Sequence, residues 1–512
     1  MFAILFGQLA GLARGILVAR AFGASPQLDA FFAANRVSET LFLLIAGGAL
    51  GSAFLPTFAG LLARAETDSA WRLASALANM VTLTLSLLAI LLAIFTPQVV
   101  RYALASGFSE KPELFALTVS LLRIQLISAV LFGLGGLIGS ILNAHQVFLI
   151  PALTPAMYQL GIIFGTLVLA PSLGIYGLAW GVVIGAALYL VLQLPSFLKL
   201  TSNFKSLCAD HWSLGLNNPD VRKVFLLMGP RLLGVAVVQL NFWVNTNLAS
   251  HMDAGSVASL TYGFSLMIMS QAAIAQSIAI AALPTFSAQH ALGKTDEMRA
   301  SLAASLRGIL MLALPASVGL MLLREPLISF LYQRGEFDAH DMQLTAWALL
   351  WYAAGLVGHS IMEILTRAFY AQQDTKTPVI IGTIAMGLNV VFSFVFSSLF
   401  AQIGWLPLGG LALANSLATA LEAAALFIFM RKRLNGIEGR SIADGAWRVT
   451  LSALGMAIGL WFWLQATSSL MRWMVTLGGV ALGGIVYGVA LIALRVPEVQ
   501  SVIQFVQRKI KR

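Results

Sequence analysis

Charged residues are scarce in this sequence. Asp, Glu, Lys and Arg make up 10% of its 512 residues, against about a quarter in an ordinary soluble domain. A water-soluble fold of this size could not cover its surface with so few. Cysteine is nearly absent too. Cys208 stands alone, which excludes an intramolecular disulfide and leaves no cysteine partner for a metal; it is expected to be a bland loop residue. No G-x-x-x-x-G-K-[ST], no H-E-x-x-H and no paired-carboxylate motif of a catalytic kind is recognised, so nothing points to ATP hydrolysis, zinc hydrolysis or other enzymatic chemistry. No cofactor and no metal site is expected. Any transport would draw on an ion gradient, the membrane potential or a substrate gradient.

Hydrocarbon fills the space that charge leaves. The chain is 59% hydrophobic, with a mean hydropathy of +0.87. Runs near the roughly 20 residues that cross a bilayer recur from end to end. The fold class read from them is all-α integral membrane, with about fourteen spans. They run over 1–22, 36–62, 73–96, 115–142, 149–170, 174–198, 223–249, 256–286, 300–323, 343–370, 378–400, 406–430, 446–466 and 472–494. The first is not read as a signal peptide, because it lacks a basic start and Arg14 interrupts it.

The net charge of +10 follows this topology. Connections after even-numbered spans, with the tail, hold roughly 19 Lys and Arg against roughly six on the other side, which places both termini in the cytoplasm. Nucleic acid is therefore not an expected partner. The tail from Val496 carries Val499, Val502, Ile503, Val506 and Ile510 at helical spacing with a basic end, the pattern of a segment lying on the inner membrane surface.

Two parts of the chain echo each other. "AFLPTFAGLLAR" (53–64) returns as "AALPTFSAQHAL" (281–292), "NAHQVFLIPALT" (143–154) as "YAQQDTKTPVII" (370–381), and "GLAWGVVIGAALYL" (177–190) as "GLALANSLATALEA" (410–423). The near-constant offset implies a duplicated six-helix unit, inserted twice in the same orientation, a known transporter design. The expected domains are 1–221, 222–433, and 434–512 with helices 13 and 14 and the tail.

Polar groups at membrane depth are costly and carry the functional reading. Arg14 sits mid-span among Gly7, Gly11 and Gly15. Either it faces a watery cavity and meets an anionic group, or it is held by Glu39 or a helix-end carbonyl. Arg36 with Glu39, and Glu363 with Arg367, have the spacing of local ion pairs. Arg123 and Arg307 are close enough to helix ends to snorkel. Glu422 has no obvious partner. His359 reads as a satisfied core residue. Asn241, Asn245, Asn389 and Asn415 could hold a sodium ion, or bond between helices. The glycines of the first span, and Gly479, Gly483, Gly484 and Gly488 of the last, allow helices to approach or slide. Those of the last span also allow a furrow for a lipid chain.

At this point the motifs resemble a family. "GLARGILVARAFGASPQLDAFFAANRV" followed by "AGGALGSAFLPTF", together with "LNAHQVFLIPALTP", "MGPRLLG" and "RAFYAQQDTKTPV", is similar to the MurJ/MviN lipid II flippases of the multidrug/oligosaccharidyl-lipid/polysaccharide exporter superfamily. The resemblance covers almost the whole chain. It implies fourteen helices in two lobes, alternating access, and movement of undecaprenyl-diphosphate-linked peptidoglycan precursor to the outer face of the bacterial inner membrane. The partners implied are that lipid-linked precursor, membrane lipids and a coupling ion. Arg14 matches the family's essential arginine and Asp29 its aspartate, with Arg36 as a further cargo contact. Helices 13 and 14 would hold the lipid tail. The chain departs from the family pattern at Gln8, Gly15, Phe42 or Leu43, Gly47 and Phe264-Ser265, so a less cationic site is expected. The rival readings are a flippase for another lipid-linked oligosaccharide, an ion-coupled small-molecule antiporter using Glu422 or Glu363, and a non-transporting partner of wall-synthesis enzymes.

Overall fold

The computed structural model describes residues 2–44, 54–201, 214–215, 218–467 and 469–500. Gly47, Cys208 and the tail beyond residue 500 lie outside the described residues. Every described element is helical, without a strand. Ten described helices are long and apolar enough to cross a membrane, or eleven if one bent pair counts as a single span. That makes this a multi-pass membrane fold, with fewer qualifying spans than the fourteen expected. Of the other three expected spans, 1–22 and 223–249 fall on described helices that are not among those ten, and 36–62 includes residues 45–53, which lie outside the described residues. Large apolar side chains stay exposed along single faces, for example Leu83, Leu87, Ile90 and Ile94, or Ile380, Ile384 and Val391. In water such stripes would drive aggregation; here they face hydrocarbon.

Two compact units emerge, residues Met1–Ala258 with Arg334–Phe337, and Ser259–Gln333 with Asp338–Arg512. The first holds α1 (Phe2–Phe22), α2 (Pro26–Phe42), α3 (Leu55–Ala63), α4 (Thr67–Val99), α5 (Pro112–Ala144), α6 (Leu149–Phe164), α7 (Ala170–Leu173), α8 (Ile175–Val191), α9 (Leu194–Thr201) and α10 (Pro219–Ser250). Helix α11 (Ser256–Gln271) starts in the first unit and continues in the second. The second unit goes on with α12 (Ser277–Ala291), α13 (Thr295–Leu322), α14 (Arg324–Tyr332), α15 (Ala339–Ala354), α16 (Leu356–Ala371), α17 (Lys376–Gln402), α18 (Leu408–Arg433), α19 (Gly439–Ala466) and α20 (Arg472–Ala493).

The second expected span begins ten residues earlier than its apolar run suggests. Gly23, at φ +60°, ends α1 as a left-handed cap. The Ser25 hydroxyl then accepts the Leu28 N–H at 3.3 Å, and Pro26 takes the first helical position of α2, where its missing N–H costs nothing.

The tenth expected span is not one helix. It divides into α15 and α16, bent by 44° at Gly355. A Cβ there would lie 2.4 Å from the Ser416 Oγ, so only glycine lets α18 come this close. The bend frees backbone carbonyls that lipid cannot bond. Ser416 Oγ donates to the Trp351 carbonyl and Ser317 Oγ to that of Ala353, each at 2.7 Å. The hydroxyls thus close what the bend opens.

In the first unit the closest helix contact is built from glycine. A Cβ on Gly161 of α6 would fall 2.1 Å from the Gly185 Cα of α8. The backbones touch, and dispersion between them replaces the hydrophobic drive that lipid removes.

The sequence echoes have backbone counterparts. Phe58 and Phe286, from the two "LPTF" motifs, are both fully buried. Gln146 and Gln373, at equivalent places in the second echo, are both left-handed, at φ 63° and 59°. The loop after Gln373 is closed by Asp374. Its carboxylate accepts the N–H groups of Lys376 and Thr377 and the Thr377 hydroxyl, capping α17, and it pairs with Arg433 of α18. Burial pushes Asp374 up, but the Thr377 bonds and the Arg433 guanidinium outweigh it and hold the carboxyl at about 2, below its ordinary 3.8.

Two outcomes follow. Gly161→Val is expected to lower stability by at least about 1–3 kcal/mol, the cost of overpacking, in thermal unfolding of the purified protein. Gly484→Ala, inside α20 with nothing within 4 Å of the new methyl, is expected to raise it slightly, by about 0.4–1 kcal/mol. A carboxyl held low in the fold stabilises above its unfolded value and loses that contribution as pH falls through its folded value. The stability difference between the native protein and Asp374→Asn should therefore be constant near neutrality and shrink as pH drops from 3.8 toward about 2.

Candidate functional site

Arg14 is half-buried on α1, one turn before the buried Val18. Among the described residues it has no ion pair and no hydrogen bond, and Glu39 is spent on Arg36 instead. Helix α6 runs alongside. A Cβ on Gly11 would lie 3.7 Å from the Gln159 Nε2, an ordinary contact, so the two helices meet here with room for a methyl group. Tyr158, next to Gln159, is within electrostatic reach of both Arg14 and Glu39 and hydrogen bonds with Asn35. Gly7 has nothing within 4 Å of its Cβ position, and Gly15 is half-buried. A guanidinium near a phenol that makes no ion pair among the described residues is open to an anion.

One turn further along α2, the expected local pair is present. Arg36 Nη1 lies 3.1 Å from Glu39 Oε2. Its guanidinium also stands 4.9 Å from the Phe242 ring centre on α10, a cation–π contact. Thr40 Oγ1 donates to the Arg36 carbonyl at 2.7 Å and accepts from Trp243 Nε1 at 2.9 Å. Gln239 Oε1 is 3.3 Å from the same hydroxyl. Arg36 is thus fixed in place within a polar seam between α2 and α10. Asn35, Thr40, Tyr158, Gln239 and Trp243 were not anticipated from the sequence. Their only signal was polarity inside otherwise apolar helices.

Asp29 is buried on α2 and faces a helix end. Its Oδ2 accepts the Gly255 N–H at 2.7 Å and its Oδ1 the Ala258 N–H at 2.8 Å. Those are orphan donors of the first turn of α11, so Asp29 caps that helix from another element and complements its dipole. Gly255 is required here, at φ +87° and with its Cβ position 2.2 Å from the Ala24 carbonyl oxygen.

In the second unit, Glu363 and Arg367 of α16 form their expected pair at 2.8 Å. Arg307 does not snorkel freely. It pairs with Glu498 and donates to Ser441, while in the first unit Arg123 donates to the Ala93 carbonyl at 3.0 Å. His359 is buried and bonds Asn415 Oδ1 at 3.1 Å, as a satisfied core histidine should. Asn245 Nδ2 reaches Asn241 Oδ1 at 3.4 Å. Of the last-span glycines, Gly479 lies against Leu323 and Gly483 against Leu460 and Met456, whereas Gly484 has open space beside it. Two of the departures from the family pattern are aromatic contacts: Phe42 packs 4.7 Å from Phe132, and Phe264 lies 5.2 Å from Tyr352. Among the described residues no group of three or more His, Cys, Asp or Glu could hold a metal.

A family profile described as "Lipid II flippase MurJ" matches residues 18–477. The "Lipid II flippase MurJ" of Burkholderia cenocepacia is 33% identical over 431 residues, covering 84% of this chain and 82% of that protein. The "Probable lipid II flippase MurJ" of Haemophilus influenzae is 28% identical over 519 residues, 96% of this chain and 98% of that one. Among solved structures, "Lipid II flippase MurJ, inward closed conformation" matches with a TM-score of 0.80 and 26% identity, over 96% of this chain and 98% of that chain. An inward-facing multidrug resistance MATE family transporter matches with a TM-score of 0.68 at 17% identity, over 84% and 94%, which is a likeness of fold.

Removing the Asp29 carboxylate strands two buried N–H groups. Asp29→Ala is expected to cost about 1–3 kcal/mol for each unsatisfied donor, and Asp29→Asn, which keeps one acceptor oxygen, distinctly less. Thermal unfolding of the two purified variants checks the order.

Proposed function

The chain belongs to the lipid II flippase MurJ family, and we propose that it carries lipid II across the bacterial inner membrane by exposing one binding site alternately to the two sides. It is a transporter, not an enzyme, and supplies peptidoglycan synthesis and hence cell-wall growth. The observation that carries the assignment of the site is Arg14: a permanent cation on an apolar helix, without ion pair or hydrogen bond among the described residues. An unpaired charge at such depth is costly unless a ligand or water compensates it. The diphosphate of lipid II would supply that compensation through charge-assisted bonds.

The other residues take supporting parts. Arg36, held by Glu39 and Phe242, offers a second, already neutralised guanidinium. Asp29 acts by fixing the start of α11 rather than by touching cargo. Gly7, with open space beside it, and Gly11 and Gly15 give α1 a smooth face for movement, and the Glu363–Arg367 pair braces α16. The open side of Gly484, with Gly479 and Gly483 shaping the helix contact next to it, is a place for the lipid tail. The working lobes are 1–221 and 222–433, with 434–512 appended, and the basic loops set both termini in the cytoplasm. A coupling ion drives the cycle. Phe42 or Leu43, together with Phe264, departs from the pattern that the family resemblance implies, and these apolar positions favour one second reading, a different polyprenyl-diphosphate-linked oligosaccharide as cargo.

Expression in cells depleted of their own lipid II flippase is expected to restore growth. Arg14→Ala should abolish the rescue at unchanged membrane abundance, and Arg14→Lys should retain part of it. Rescue indifferent to Arg14→Ala would remove its role. Failure of the native protein to rescue, at normal abundance, would favour the second cargo.

A further inference from the structure

Glu422 has no part in the reading above. It lies on α18 and is 8% exposed. Among the described residues it has neither ion pair nor hydrogen bond. Its stripe of α18 is otherwise buried, with Leu411, Asn415, Ala418 and Leu426 above and below. Across from it, a Cβ on Gly382 of α17 would lie 3.1 Å from Glu422 Oε1. The carboxylate therefore rests against bare backbone, in a place that glycine keeps open.

The groups that could neutralise it are engaged or remote. Helix α16 carries His359, bonded to Asn415, and the Glu363–Arg367 pair. Helix α15 carries Asp341, which completes its own capping box, and the exposed His340. Helix α17 carries only Lys376, exposed at its first residue. On α18 itself, Arg431, Lys432 and Arg433 are exposed in the last turn, Arg431 nine residues or roughly 13 Å along the axis, and Arg433 pairs with Asp374.

A lone carboxylate among apolar side chains at membrane depth cannot stay charged cheaply. A metal ion would need several ligands around it, and among the described residues Glu422 belongs to no group of three or more His, Cys, Asp or Glu that could hold one. A proton needs one oxygen. We propose that Glu422 is a proton-binding site within the second unit, linked to the transport cycle. When water reaches it, a carboxylate oxygen takes a proton from hydronium and leaves water. Sealed from water, the side chain travels as a neutral acid. Release to water on the other side reverses the step. This names the coupling ion of the transporter proposed above and rests on that reading.

The test uses the full-length protein reconstituted in liposomes, as native protein, Glu422→Gln and Glu422→Asp. Imposing a pH gradient of about one unit should change the rate of lipid II translocation in the native protein, by at most about tenfold. Glu422→Gln should remove that response, and Glu422→Asp should keep it. A native protein indifferent to the gradient, or a Glu422→Gln protein as responsive as the native one, overturns the proposal. A second readout needs no cargo. The infrared carbonyl band of a protonated carboxyl should be present in the native protein, fade as pH is raised, and be missing from Glu422→Gln. Its presence without lipid II transport would support the proton site while refuting the cargo; its absence from the native protein would refute the proton site itself.

Discussion

A backbone at membrane depth has no water to bond, so each N–H and C=O must find its partner inside the protein. This requirement shapes the irregular places of the fold more than any apolar contact does. Where α11 starts, its exposed donors are taken by a carboxylate from α2. Where the tenth span bends at Gly355, two serine hydroxyls from α13 and α18 take the carbonyls that the bend releases. Where α17 begins, Asp374 takes its first donors and ties the loop to α18. At each of these three places a side chain repairs the interruption, and at the first two the repairing residue lies on another element. Local breaks thereby become long-range ties.

The charged side chains sort by the same rule. Arg36, Arg123, Arg307, Glu363 and Arg367 all have partners within the protein. Arg36, Arg123 and Arg307 tie their helices to other elements, while Glu363 and Arg367 pair along α16 alone. Arg14 and Glu422 are different, since the described structure offers neither a bond. One is a fixed cation beside a phenol. The other is an acid beside a glycine. Being left open among the described residues is what the proposed cargo and proton sites require of them.

Much of this was legible in the residues. Apolar run length gave the membrane class, and i, i+3 and i, i+4 spacing gave the Arg36–Glu39 and Glu363–Arg367 pairs. Recurrence of "LPTF" found two phenylalanines with equal burial. The rest depended on what lies across from a residue, which a linear pattern does not contain. The function of Asp29 as a cap requires knowing that α11 begins beside it. The break in the tenth span was signalled only by Gly355, and glycine alone does not distinguish a kink from a packing contact. The polar seam around Thr40 joins residues about two hundred positions apart, so no spacing rule could reach it. For Gly479 and Gly483, the packing is set by leucines from other helices.

The left-handed glutamines carry a further meaning. A left-handed residue is a common way for a helix to end, at a cost of roughly 1–2 kcal/mol for a side chain other than glycine. Gln146 and Gln373 both adopt it, within 4° of one another in φ. The echo read from the residues thus reaches the backbone: the two corners bend alike although the residues that follow them differ.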